Sequence, residues 1–169
     1  LGVFLQTTPA AVQVFSDSGI EDVSDLEGKT IAVSAGDAPT STFPVFLEAS
    51  GLGEDAVEQQ NLDSAGKVAA MLAGQVDGLI GFAHDQGPKI AAESGRDVSY
   101  FRHSDAGLNF YSNGLLAHER TIDGDADLVQ RMVDATPAAY AAAAAEPRAP
   151  AASTEGGRER AVWGRAGDH

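Results

Sequence analysis

Residues 25–36 read DLEGKTIAVSAG, and this stretch decides the fold. Its apolar, β-branched run is bounded by turn residues, which predicts a buried strand over 30–35. Small residues follow, and then Phe43, Phe46 and Leu47 recur at the spacing of one helix face. The stretch therefore predicts a strand, a tight loop and a helix.

The same alternation of strand and helix patterns continues along the chain in both directions. Short apolar runs predict strands at 1–4, 12–15, 57–61, 76–82 and 98–101, with an extended segment at 108–117. Helical spacing predicts a short turn at 22–28 and helices at 43–50, 64–73, 88–94 and 126–145. We expect Pro44 in a first helical turn, Asp63 or Ser64 as a helix cap, and Asp77 at a turn or strand edge. Strands separated by helices indicate an α/β fold with a doubly wound parallel sheet.

Sheets of this kind bind ligands beyond the carboxyl ends of their strands, where the loop at 36–42 is expected. The sequence GDAPTST lacks the Gly-Lys pair of a nucleotide-binding phosphate loop. Two interpretations stay open for Thr40, Ser41 and Thr42. Either one of these three residues caps the following helix, or the loop contacts a ligand through its hydroxyls and through the amides at the helix N-terminus.

A second loop, at 81–86, follows the strand predicted at 76–82. His84 and Asp85 are solvated, or one of them contacts a ligand, or they serve acid–base chemistry or a metal. The last alternative is disfavoured because the histidines show no metal-binding or catalytic spacing. We therefore predict no catalytic residue, no metal and no cofactor.

The extended segment carries Asn109, Tyr111 and Asn113, which alternate and so share one face of a strand. They form either a solvated edge or a polar row that lines a cleft. Phe82 and Phe110 either stack on a flat ligand or belong to the core.

Composition excludes several classes of function. The 169 residues carry a formal net charge of −14, which argues against a nucleic-acid surface and against adsorption to anionic lipid. Cysteine is absent, so disulfides and Cys-based zinc sites are excluded. No apolar run approaches the roughly 20 residues of a membrane helix. No signal-peptide pattern is present and the sequence starts at Leu1, so we expect the natural N-terminus to lie upstream.

Three segments together resemble a known family. They are SGIEDVSDLEGKTIAVSAG (18–36), MLAGQVDGLIGF (71–82) and AGLNFYSNGLLAHERTIDGDADLVQRMVDAT (106–136). In this order they look like the substrate-binding proteins of ABC importers, in the NMT1/THI5-like group that includes sulfonate (SsuA), taurine (TauA), nitrate and pyrimidine-precursor binders. The resemblance implies a type-II periplasmic-binding-protein fold, with ligand between two α/β lobes.

The resemblance also implies a domain organisation for a partial chain. Residues 1–28 would form the end of the first lobe and the hinge crossing, and 29–105 the second α/β lobe. Residues 106–147 would be the returning hinge strand and a helix that packs on the first lobe. We predict a disordered tail at 148–169, because periodicity is lost there.

Ligand-binding residues follow from the matched motifs. The resemblance places them in the outgoing hinge, the loop after the 30–35 strand, the loop after the 76–82 strand and the returning hinge strand. They are Gln6, Thr7, Ala35, Gly36, Asp37, Thr40, Ser41, Thr42, Gly81, Phe82, Asp85, Asn109, Tyr111 and Asn113.

The implied function is capture of a small molecule outside the cytoplasm and its delivery to an ABC permease and ATPase. The protein would be a monomer, associated with the membrane only through a lipid anchor or the permease. Hydroxyls without a nearby cation before Lys67, together with the aromatic NFYSN segment, favour a neutral heterocycle such as a thiamine pyrimidine precursor over a sulfonate, taurine or nitrate. The alternatives are an enzyme on the same fold, a dehydratase or a pyrimidine synthase, and the ligand-sensing domain of a regulator. The pyrimidine synthases depend on a Cys-rich motif that is missing here.

Overall fold

The computed structural model describes residues 1–145, and the tail predicted at 148–169 lies outside them. The strands are β1 (Gly2–Val3), β2 (Ala10–Phe15), β3 (Thr30–Val33), β4 (Glu58–Asn61), β5 (Gly78–Phe82), β6 (Val98–Arg102) and β7 (Gly114–Leu115). The α-helices are α1 (Ala38–Ala49), α2 (Ser64–Leu72), α3 (Gln86–Ser94), α4 (Glu119–Gly124) and α5 (Ala126–Ala145). Single 3-10 turns occupy Val23–Leu26, Glu54–Ala56 and His103–Ala106. The alternation predicted from the sequence is confirmed.

Five of the strands form one sheet in the order β4-β3-β5-β2-β6. β3 runs parallel to both β4 and β5, but β2 runs antiparallel to both β5 and β6. The prediction of a parallel sheet is therefore wrong at β2. Its chain reaches β3 without a crossover helix, and burial on both faces gives β2 the same apolar pattern as a parallel strand.

The core lies on both faces of this sheet. One face packs against α1 through a cluster that includes Val12, Ile31, Phe43 and Phe46. The other face packs against α2 and α3 through Phe15, Ala32, Val68, Met71, Leu79 and Ile90. Helices on both faces make the sheet doubly wound, as predicted. Gln13, at the centre of β2, is fully buried, and neither polar atom of its amide has a partner among the described residues.

The chain divides into two compact units. The sheet unit is Leu5–Asn113, and the terminal unit is Leu1–Phe4 together with the described residues from Gly114 to Ala145. Within the terminal unit β1 pairs antiparallel with β7, and the rings of Phe4 and Tyr140 stack at 6.2 Å between centroids. In its described part no side chain of α4 or α5 is buried.

Two local expectations differ from the structure. α1 begins five residues before Phe43, so Pro44 lies inside the helix rather than in its first turn, where Pro39 stands instead. The segment predicted as extended over 108–117 contains only the two-residue strand β7, because its partner β1 is equally short. α4, a polar turn that begins after His118, was not predicted.

One further observation concerns membranes. Among residues 1–145, no helix combines the length and the apolar character needed to cross a bilayer.

Candidate functional site

The site is built at the sheet edge where β3 and β5 both end. These strands are parallel neighbours, so the loops that follow Val33 and Phe82 leave the sheet side by side. β2 is antiparallel to β5 and pairs Ala10 with Phe82, so its amino end lies at this edge too. Three chain segments therefore meet where the sequence predicted two.

The loop after β3 is held by three hydrogen bonds, two to the end of β4 and the residue after it and one to α1. The Ser34 hydroxyl donates to the Leu62 carbonyl at 2.7 Å, and the Ala35 amide donates to Asn61 Oδ1 at 2.9 Å. The Ser34 amide donates to Thr40 Oγ1 at 3.2 Å. A loop fixed in this way presents its remaining polar groups in one defined arrangement.

The three hydroxyls of α1 find partners within the protein. Thr40 Oγ1 accepts the Ser34 amide, and the Ser41 hydroxyl donates to the Asp37 carbonyl at 3.1 Å. Thr42 Oγ1 lies 3.2 Å from the Ala38 carbonyl and 3.1 Å from that of Pro39. None of the three caps the helix, because the N-cap residue is Asp37.

The first turn of α1 leaves donors open at this edge. The amides of Ala38 and Thr40 have no acceptor among the described residues, and Pro39 between them has no amide hydrogen. The Asp37 side chain does not cap them. Two backbone N–H groups at the positive end of the helix dipole are therefore free to bind an acceptor.

A shallow hollow of about 150 Å³ lies beside these donors, wholly within the sheet unit. It is lined by residues from before β2, from α1, from the end of β5 and from the chain before β7. They are Thr8, Ala10, Ala38, Pro39, Phe82, Phe110, Tyr111, Ser112 and Asn113. The set combines three aromatic rings with neutral polar groups and includes no charged side chain.

The hollow brings together some of the predicted site residues. Phe82, Tyr111 and Asn113 line it, and so does Phe110, which the sequence left between ligand stacking and core. Tyr111 is exposed and Phe110 is 39% exposed, so neither ring belongs to the core. The segment is tied to Leu5, whose amide donates to the Asn113 carbonyl at 3.2 Å and whose carbonyl accepts the Ser112 amide at 2.9 Å.

The other predicted residues lie outside the lining. Those that are exposed at the surface are Gln6, Thr7, Ala35, Gly36, Ser41, Asp85 and Asn109. Asp37, Thr40 and Thr42 are partly buried around the start of α1. Gly81 is buried, and a Cβ there would fall 1.9 Å from Gln86 Oε1 of α3. Its small size makes room for Gln86, which accepts the Phe82 amide at 3.1 Å.

Thr8 is a site residue that sequence reasoning missed. It is buried, and its hydroxyl accepts the Ala10 amide at 3.2 Å just before β2. Thr8 belongs to the site because β2 is antiparallel, which places the start of that strand at this edge, and the apolar pattern of β2 does not reveal this direction.

Charge at the edge comes from a buried lysine. Lys67 of α2 is fully buried, and its ammonium donates to the Ile80 carbonyl at 2.9 Å and to Asp37 Oδ2 at 3.3 Å. The Asp37 side chain is 47% exposed. The positive charge is thus covered, and the negative charge reaches the surface.

A buried histidine lies behind α1. His103 Nδ1 is 3.2 Å from Thr42 Oγ1, and its ring stacks on Phe46 at 4.7 Å between centroids. Nε2 is buried without a partner among the described residues. Burial lowers the pKa of His103 from 6.5 to about 4, since the charged form is excluded from water there. The ring is therefore neutral at pH 7. It contributes to packing rather than to the charge of the site.

The described residues contain no cluster of three His, Asp or Glu side chains suited to a metal ion. The edge is suited to binding a ligand. It offers free amides, aromatic rings, neutral amide and hydroxyl groups and one exposed carboxylate.

Comparisons with known proteins identify the family and the fold. A family model described as NMT1/THI5 like matches residues 1–150. The periplasmic aliphatic sulphonate binding protein SsuA from Escherichia coli is similar in structure, with a TM-score of 0.59 and 21% identity over 76% of this chain. The alkanesulfonate-binding protein SsuA from Xanthomonas axonopodis pv. citri, bound to MOPS, gives a TM-score of 0.54 and 25% identity over 77% of this chain. No curated protein sequence matches significantly.

This chain spans less than half of each of those solved structures, 43% of the first and 45% of the second. The matches confirm the predicted fold class, a type-II periplasmic-binding-protein fold of which the chain covers a part.

Proposed function

The chain belongs to the NMT1/THI5-like family, and on that premise we propose that it is part of the solute-binding component of an ABC importer. It would capture a small molecule outside the cytoplasm, deliver it to a permease and its ATPase, and make or break no bond in it. The observation that carries the proposal is the hollow at the carboxyl edge of the sheet, with open amides of α1 beside it. The lobe boundaries predicted from the sequence (1–28, 29–105 and 106–147) belong to this proposal.

For the ligand, we propose a neutral heterocycle of the aminopyrimidine type. Phe82 and Phe110 line the hollow and offer ring faces for stacking, while Asn113 and Ser112 offer hydrogen-bonding groups for ring nitrogens. The lining contains no cation, and the ammonium of Lys67 is buried against a carbonyl and a carboxylate. A free anion would find no exposed positive charge here.

A sulfonate is the second candidate ligand, and one observation favours it. The amides of Ala38 and Thr40 are open at the positive end of α1, where anions bind in many proteins. The sulfonate-binding proteins of similar fold support the same candidate.

A thermal-shift screen of the full chain tests both ligands together. The probes are 4-amino-5-hydroxymethyl-2-methylpyrimidine, ethanesulfonate, taurine and nitrate. A ligand present at about 100 times its dissociation constant adds about 2.7 kcal/mol to the free energy of unfolding, which raises the melting temperature measurably. We expect the rise with the aminopyrimidine. A rise with ethanesulfonate alone would replace the pyrimidine by the sulfonate, and no rise with any probe would contradict the binding function.

Two controls sharpen the screen. Phe110→Ala removes one ring of the hollow, whereas Val45→Ala removes an exposed side chain on α1 outside the lining. The ligand-induced shift should fall in the first variant and persist in the second. Recovery of unchanged aminopyrimidine after incubation tests the alternative of an enzyme on this fold.

A further inference from the structure

Lys67 is a charged side chain buried where the fold alone does not require a charge. It lies on α2 beside Val68 and Met71, which pack into the core of the sheet unit. Burying an ammonium costs free energy unless its donors are satisfied by close partners. An apolar side chain of similar length would fill the same space without that cost.

The partners of Lys67 belong to β5 and to the residue before α1, two parts of the chain that lead into the candidate site. Its ammonium donates to the carbonyl of Ile80, two residues before Phe82 of the hollow. It also donates to Asp37, the residue directly before Ala38 and Pro39 of the hollow. The lysine therefore links β5 to the start of α1 through these two hydrogen bonds.

The Asp37 carboxylate is consequently oriented in an unusual way for a helix N-cap residue. Such side chains usually accept an amide of the first turn, but that of Asp37 caps no amide. Oδ2 is held by Lys67, and Oδ1 has no hydrogen-bond partner among the described residues. Because the side chain is 47% exposed, a free acceptor with negative charge faces solvent at the sheet edge.

We propose that Lys67 is a positioning residue that fixes Asp37 as the acceptor for an N–H group of the ligand. The inference rests on the proposed binding function and deepens it. A fixed carboxylate beside the hollow favours an amino-bearing heterocycle and repels a free anion, so the pair contributes to the choice of ligand.

An ion pair with only a structural role would behave differently. Its loss would lower the stability of the protein and weaken every ligand to the same extent. A positioning role changes the ratio of affinities between ligands with and without the amino group, since only the former contact Asp37.

The experiment measures binding to the full chain by isothermal titration calorimetry with two probes. They are 4-amino-5-hydroxymethyl-2-methylpyrimidine and the matching pyrimidine with hydrogen in place of the amino group. The variants are Asp37→Asn, Lys67→Met and the double variant. Asp63→Asn is the matched control, because Asp63 is also a helix N-cap residue at this edge, but its side chain accepts the Gly66 amide and does not bond the Lys67 ammonium.

We expect Asp37→Asn to weaken the amino probe about tenfold and to leave the other probe nearly unchanged, as for a hydrogen bond to a charged group. Lys67→Met should weaken the amino probe as well, because Asp37 is no longer held. The double variant should be no worse than Asp37→Asn alone, since both changes remove one contact. Asp63→Asn should bind both probes like the wild type.

The outcomes separate this inference from the function on which it rests. Binding by the wild type with an affinity ratio that no variant changes overturns the inference and leaves the binding function standing. Absence of binding to either probe by the wild type overturns both. If Lys67→Met fails to fold, as judged by circular dichroism, the ratio measured for Asp37→Asn decides the question.

Discussion

α1 and α5 both carry apolar residues at helical spacing, but α1 buries them and α5 leaves them exposed or half-buried. α1 buries Phe43, Phe46 and Leu47 against the sheet. α5 buries no side chain, and its Met132 and Tyr140 are 48% and 52% exposed. An apolar face in a sequence thus indicates that the face suits a packed environment, but it does not identify the partner. In the sheet unit the partner is nearby in the chain, whereas in the described part of the terminal unit Phe4 stacks on Tyr140 and the apolar side chains of α5 stay at least partly exposed.

The sharpest test of this contrast removes one large side chain from each helix. Phe43→Ala should lower the free energy of unfolding of the sheet unit by about 4 kcal/mol, since it leaves a cavity in a fully buried cluster. Met132→Ala should change it by less than about 0.5 kcal/mol, as for an exposed position. Urea unfolding measures both. A large loss of unfolding free energy in Met132→Ala would mean that the apolar face of α5 is covered in solution. It would contradict the difference drawn between the two helices.

A second test uses one histidine from each unit. His103 is buried and its pKa is lowered to about 4, whereas His118 is exposed before α4. Between pH 6.5 and pH 4 the unfolded chain binds a proton at residue 103 that the folded chain does not. The folded state therefore loses stability as the pH falls through this window, by up to about 3 kcal/mol.

His103→Leu should remove that part of the pH dependence, while His118→Gln should keep it. The measurement is urea unfolding at pH 7, 5.5 and 4 for the wild type and both variants. Comparing slopes with pH, rather than stabilities at one pH, separates proton binding from the packing that His103 loses on substitution. If the unfolding free energy changes with pH equally in the wild type and in His103→Leu, the lowered pKa of His103 is contradicted.

The smallest expected effect concerns helix caps in the two units. Asp63 accepts the Gly66 amide at 2.6 Å at the start of α2, and Asp125 accepts the Leu128 amide at 3.0 Å at the start of α5. Asp63→Ala should cost the sheet unit about 1 kcal/mol. Asp125→Ala should reduce helical circular dichroism while leaving the unfolding midpoint of the sheet unit in place. A shift of that midpoint in Asp125→Ala would show that the two units unfold together.

Local patterns in the sequence predicted the local parts of the fold well. Asp63 caps α2 as expected, and Asp77 lies at a strand edge, where its carboxylate accepts the Thr30 amide at 2.8 Å. α5 begins at Ala126 as predicted and is helical to the last described residue, because Ala-rich helices carry a strong propensity of their own. The cap of α2 and the helix α5 depend on neighbours close in the chain. The position of Asp77 follows from the preference of aspartate for turns and strand ends.

Non-local features could not be predicted in the same way. The direction of β2 depends on strands that follow it by many residues, and its buried apolar pattern fits either direction. Lys67 reads as a solvated side chain until Ile80 and Asp37 are known to be its partners. Thr8 enters the site for the same reason, because only the sheet topology brings it there. The binding role of the predicted site residues stays a prediction until ligands are tested.

The place of β2 in the sheet also has a consequence during synthesis. β2 leaves the ribosome well before its neighbours β5 and β6, so the nascent chain carries AAVQVF unpaired while the residues between them are made. Such a segment can pair with the same segment of another nascent chain. Gln13 interrupts its apolar run and opposes such pairing, although its side-chain amide finds no partner among the described residues. We therefore expect Gln13→Leu to fold into a more stable sheet but to give less soluble protein, and an unchanged soluble yield would contradict this role.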